Sequence, residues 1–158
     1  MTPRLGLTLL AAAVTVLVAT GLFAETVLVP GVSPGKEVVA VRKYVMVTNN
    51  ANLRDIRLKL EANKSVEVVS NARSMAAVAM TLPYLFADAH PDAYPMPGSI
   101  YAYKAAPMAD VQTGAELFNA QCQKLVNVAG NAADSAKQLE RVKDACRDCH
   151  AKMRKESK

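Results

Sequence analysis

Residues 146–150 read Cys-Arg-Asp-Cys-His, two thiols and an imidazole at a spacing suited to one shared ligand. On a helix, Cys146, Cys149 and His150 fall at i, i+3 and i+4, so all three project from one face. The pattern C-x-x-C-H is the attachment signature of a c-type haem: the thiols add to the porphyrin vinyl groups and the imidazole coordinates the iron. Two rival chemistries fit less well. A redox dithiol belongs in a βαβ context that this chain lacks. Zinc needs two further ligands, and only His90 and Cys122 remain to supply them. One covalently attached haem c is therefore the expected cofactor.

Other candidates carry weaker signals. His90 stands in a proline-rich stretch and reads as an exposed loop residue. Cys122 has no partner once the pentad is used and reads as a small buried hydrophobe. Met46 is one of 7 methionines, and a methionine on an apolar helix face ordinarily fills core space. Arg42, taken alone, reads as a surface cation.

The elements that must position these groups are helical. Ser33-Pro34 suits a helix start, and residues 34–61 repeat at three or four through Val38, Arg42, Val45 or Met46, Asn49, Leu53, Ile56 and Leu60. Asn63-Lys64-Ser65 breaks the pattern, with Ser65 as cap for a second helix striped by Val68, Val69, Ala72, Met75, Ala76, Ala79 and Met80 and ending near Pro83. Prolines 91, 95, 97 and 107 make residues 87–107 an irregular connection. A third helix follows Asp110, through Val111, Ala115, Phe118, Cys122, Leu125 and Val126, until Gly130-Asn131 stops it. The last runs from about Ala132 to Lys155, with Leu139, Val142, Cys146, Cys149 and Met153 on a heptad-like line. Only Thr26–Val29 reads as extended. The expectation is an all-α antiparallel four-helix bundle with a long irregular connection between helices 2 and 3.

The 158-residue chain holds one domain. Leu5 to Phe23 is uncharged and apolar, with Arg4 before it and Ala24-Glu25 after it, which describes a secretory signal over residues 1–24. Its length, nineteen residues or about 28 Å of helix, also suits an uncleaved anchor. Residues 25–35 form a connector and 36–158 the domain. Arg4 before the apolar run leaves the rest outside the cytoplasm, and a c-type haem agrees with a periplasmic address. Without residues 1–24 the chain keeps 18 basic and 14 acidic residues, a net charge of +4. That excess can steer an acidic partner but is too small, and too poor in interleaved aromatics, for nucleic acid.

The chain resembles the class II cytochromes c, the cytochromes c′ and their low-spin relatives, over residues 36–155. The resemblance rests on Cys146-Arg-Asp-Cys-His150-Ala-Lys-Met-Arg154, on Leu82-Pro83-Tyr84-Leu85-Phe86 and on Arg42-Lys-Tyr-Val-Met46-Val-Thr-Asn49-Asn50-Ala-Asn52. It implies that His150 is the proximal iron ligand, that Cys146 and Cys149 hold the thioethers, and that Met46 faces the opposite side of the iron as distal ligand. It also implies a haem propionate contact for Arg42, which shares a helix face with Met46, and a place for Arg154 beside the haem. Met153 stands where relatives carry an aromatic residue, and the chain has no Trp.

The function expected is that of a single-electron carrier between redox partner proteins, not an enzyme, with the iron closed by Met46. The alternative is a gas-binding protein for nitric oxide or carbon monoxide, in which Met46 makes no bond. The resemblance also makes a homodimer through the outer faces of the first two helices an expectation.

Overall fold

The computed structural model describes residues 34–94, 96, 101–104 and 106–156. The expected signal over 1–24, the connector as far as Ser33 with its capping role, and the extended stretch Thr26–Val29 lie outside the described residues. Among the described residues there are four long helices and a small two-stranded ribbon: α1 (Pro34–Glu61), α2 (Val68–Leu85), β1 (Tyr101–Tyr103), α3 (Met108–Val128), α4 (Ala132–Met153) and β2 (Arg154–Glu156). The four helices form an antiparallel bundle. α2 packs on α3 and α1, α3 packs on α4, and α1 closes the ring against α4.

α1 keeps the bounds its periodicity predicts, and its buried residues Arg42, Asn49 and Ile56 recur every seventh position on the inner face. It ends in a Schellman-type turn. The Lys64 N–H returns to the Lys59 carbonyl at 2.8 Å and the Asn63 N–H to that of Leu60 at 3.1 Å. Asn63 supplies the left-handed residue this motif needs, with φ 59°. Ser65 does not cap α2. It is buried at the start of a 3-10 turn, Ser65–Glu67, that leads into the helix without a side-chain cap.

α2 does not stop at Pro83 but continues to Leu85. A proline in the last turn forfeits one backbone donor, and here the helix end is held from outside. The Arg42 guanidinium on α1 donates to the carbonyls of Leu85 (2.6 Å), Asp88 and Ala89 (3.3 Å). Residues 86–107 separate α2 from α3, and their described part contains structure that periodicity did not predict. A 3-10 turn spans Pro91–Ala93. β1 pairs antiparallel with β2, Ala102 opposite Lys155 and Tyr103 opposite Arg154. The last helix is correspondingly shorter than expected: it stops at Met153, and Arg154 to Glu156 are extended.

α4 starts cleanly. Asn131 takes an extended conformation and its side-chain oxygen accepts the Asp134 N–H at 3.0 Å, the usual N-cap arrangement. Ser135 is fully buried with its hydroxyl donating to the Val128 carbonyl at 3.0 Å, which ties α4 to the end of α3. The main core lies between the helices around Ile56, Met75, Phe118, Leu125, Leu139 and Val142. A smaller cluster of Tyr103, Val111 and Met153 sits at the other end, beneath the ribbon.

Candidate functional site

The last two turns of α4 carry Cys146, Cys149 and His150, all partly buried. Cys146 packs against the main core and Cys149 against the smaller cluster, with its sulfur 3.6 Å from that of Met153. Opposite, on α3, stands Gly114. A Cβ there would lie 3.4 Å from the Cys149 sulfur, so glycine leaves room beside the thiol that any side chain would take.

Two cavities meet at this face, with empty volumes of about 760 Å³ and 560 Å³ including their open mouths. They share Met46, Leu82, Cys149 and His150 as walls. The outer one reaches Arg42, Phe86, Tyr103 and Arg154, while the inner one reaches Asn49, Leu53, Phe118 and Cys146. A thioether from α1 and an imidazole from α4 thus border the same slot, whose walls are otherwise largely hydrocarbon.

Arg42 is not the surface cation that it reads as in isolation. It is 3 % exposed, and the three carbonyls around the end of α2 occupy three of the five donors a guanidinium has. Its Cζ lies 4.9 Å from the centroid of Phe86 and 5.0 Å from that of Tyr103, within the range of cation–π attraction. The two rings meet edge to face at 5.2 Å, and the Tyr103 hydroxyl donates to the Phe86 carbonyl at 3.2 Å. Neither aromatic was singled out as a site residue in the sequence, because loop positions carry no periodic signal. His90 also differs from its expected exposure. It is half-buried with φ 48°, its ring against Gly35 in the first turn of α1.

Burial governs the electrostatics of the α4 face. It pushes the Cys146 thiol up to about 11, helped by the neighbouring Cys149, and raises Cys149 as well. Burial lowers His150, and the positive charge of Arg154 lowers it further. At neutral pH the site therefore holds two protonated thiols and a neutral imidazole whose lone pair is free to bind a metal. Cys122 is fully buried on α3, and desolvation lifts its thiol to about 12. It is the inert thiol that its sequence position suggests. Among the described residues no group of three or more His, Cys, Asp or Glu is placed to hold a bare metal ion.

Residues 37–154 match the family model described as cytochrome c′. The chain belongs to the cytochrome c′ family. A solved structure of a cytochrome c′, described as having an unusual ligand-controlled dimer dissociation, is 24 % identical and superposes with a TM-score of 0.58. The likeness covers 78 % of this chain and 98 % of that one. No curated protein sequence matches the chain. Membership in the cytochrome c′ family makes this a haem c protein of the electron-transfer or gas-binding kind.

The site of this cytochrome c′ family member fits the group its family carries. The donor set is right in kind: two thiols for vinyl groups and one neutral imidazole for iron. The slot is walled mainly by apolar side chains, with a few polar groups at its edges. Of the residues singled out in the sequence, Met46, Cys149 and His150 line both cavities, Cys146 the inner, and Arg42 and Arg154 the outer. Asn49, Gly114, Phe86 and Tyr103 join them without having been picked out as site residues. For Asn49 a signal existed, since it lies one turn beyond Met46 on the same helix face.

Proposed function

We propose that the protein carries single electrons on one haem c, joined to Cys146 and Cys149 by thioether bonds, with His150 as proximal and Met46 as distal ligand of the iron. When bound, the haem supplies a reversible one-electron couple. The observation that carries this reading is the shared border of the two cavities, where Met46 of α1 meets His150 and Cys149 of α4. Burial keeps His150 neutral and so able to donate its lone pair. The apolar walls exclude water, which favours the less charged form of a buried redox centre. Arg42 and Arg154 line the outer cavity and provide the cations a haem propionate needs. No substrate-transforming residue is required, and the reading is of a carrier, not an enzyme.

The wider setting follows from the same reading. Residues 1–24 direct export to the periplasm, cleaved or kept as a tether, and the domain occupies 36–158. Basic residues on α4, among them Arg141, Lys143 and Arg147, offer a docking surface to an acidic redox partner through a small, weak interface. No described helix is long and apolar enough to cross a membrane.

A second reading stands beside it. It rests on the family, whose members are haem c proteins of the electron-transfer or gas-binding kind, and in it Met46 makes no bond and the distal face stays open to nitric oxide or carbon monoxide. The optical spectrum of the oxidised holoprotein separates the two, taken beside that of Met46→Ala. A low-spin spectrum that the substitution abolishes supports the carrier. A high-spin spectrum in both proteins supports the gas binder.

A further inference from the structure

His90 holds a backbone conformation that its place in the sequence disfavours. Its φ is 48° and its ψ 57°, the left-handed region that residues other than glycine seldom adopt. Pro91 follows it, and a residue before proline favours extended backbone. Such a conformation persists only where the surroundings over-determine it, and here they act from three sides. On the chain before His90, Arg42 of α1 binds the carbonyls of Asp88 and Ala89. On the chain after it, the Ala93 N–H donates to the His90 carbonyl at 3.1 Å and the Tyr94 N–H to that of Pro91 at 3.2 Å. The third side is Gly35 in the first turn of α1. A Cβ at residue 35 would stand 3.0 Å from His90 Nδ1, 3.4 Å from its Cγ and 3.5 Å from its Cβ. The ring thus rests on bare backbone. Because its own Cβ is close as well, it cannot swing clear of a methyl group without moving the chain.

We infer that His90 is a positioning residue: its ring, seated on Gly35, latches residues 86–94 to the start of α1 and so fixes one wall of the haem crevice. The latched segment carries Phe86 and Tyr94, which line the outer cavity and pack on the cluster of Tyr103, Val111 and Met153. The 3-10 turn Pro91–Ala93 packs on α1 directly, with Ala93 buried beneath it. The latch is a property of the polypeptide, and its effect on the haem rests on the carrier reading above. Burial is one of the levers that set a haem's potential. A wall that lifts from the crevice admits water, favours the more highly charged ferric form and lowers the midpoint potential.

The test is a double-variant cycle on the holoprotein, read by amide hydrogen exchange and by the midpoint potential. Gly35→Ala puts a methyl group where the ring sits. Exchange at the Ala93 and Tyr94 N–H groups should quicken roughly fivefold as the segment opens locally. The Leu125 N–H in the core should keep its parent rate, and the midpoint potential should fall. Alanine favours a helix more than glycine does, so the loosening cannot come from the α1 backbone. His90→Gly removes the ring and should produce the same two changes. Adding Gly35→Ala to it should produce no more, since no ring is left to displace. Gly35→Ala without effect, or with equal effects in both backgrounds, overturns the latch. Faster exchange beside an unchanged potential overturns the positioning role. Should Gly35→Ala fail to fold, His90→Asn accepts the same backbone but lacks the ring; it must show both changes, and parent-like behaviour overturns the proposal. A polypeptide mass without haem refutes the carrier reading instead, and the exchange cycle still decides the latch.

Discussion

Arg42 joins two tasks in one side chain. Its guanidinium binds the last carbonyls of α2 and stacks on Phe86 and Tyr103, yet it also lines the outer cavity. Arg42→Met would leave those carbonyls without their donor. It should destabilise the protein by about 2–4 kcal/mol, read as a lower midpoint in urea. Cys122 provides a second residue-scale test through pH. Burial raises its thiol from its ordinary 9.0 to about 12. The unfolded chain therefore ionises first, and the stability this thiol contributes is full below pH 9 and drains away as the pH climbs toward 12. Thermal melts between pH 8 and 11 should show a shallower alkaline loss for Cys122→Ala than for the parent, and parallel curves would contradict the assignment. What the sequence disclosed at this scale was the α4 triad, because its spacing is purely local. The burial of Arg42 was not legible, since the carbonyls it binds lie more than forty residues away.

At the scale of elements, α4 matters most because it carries both thiols and the imidazole. Its start depends on Asn131, whose side chain pairs the Asp134 N–H. Asn131→Ala should cost about 1 kcal/mol, seen as a lowered melting temperature, while leaving the haem spectrum unchanged because the site lies at the opposite end of the helix. The helix ends three residues before Glu156, where β2 pairs with β1. Nothing in Arg154-Lys155-Glu156 alternates in polarity, and isolated short strands gain their stability only from a partner. That is why the ribbon escaped the sequence while α1 was readable from its periodicity alone. Pro83 marked the end of α2 to within two residues, and the end itself is held by Arg42.

At the scale of the whole molecule, several large apolar side chains of the first two helices are exposed. On α1, Val41, Tyr44 and Val47 are 44 %, 69 % and 57 % exposed, and on α2 Met80 and Tyr84 are 69 % and 84 % exposed. Exposed apolar side chains on neighbouring helices can form an association surface, and we propose a homodimer through these two helices. The double variant Tyr44→Glu, Tyr84→Glu should sediment as a monomer at concentrations where the parent does not; a parent that is itself monomeric would contradict this. The bundle was legible from four periodic stretches and their breaks, whereas the cavities it encloses are a product of tertiary packing. The proposed function rests on one bond-forming event on α4. The most direct measurement is the mass of the denatured protein after export from a host that matures c-type cytochromes. The account predicts a polypeptide heavier by one haem, carried on the peptide that contains Cys146 and Cys149. A mass equal to the polypeptide alone would contradict it.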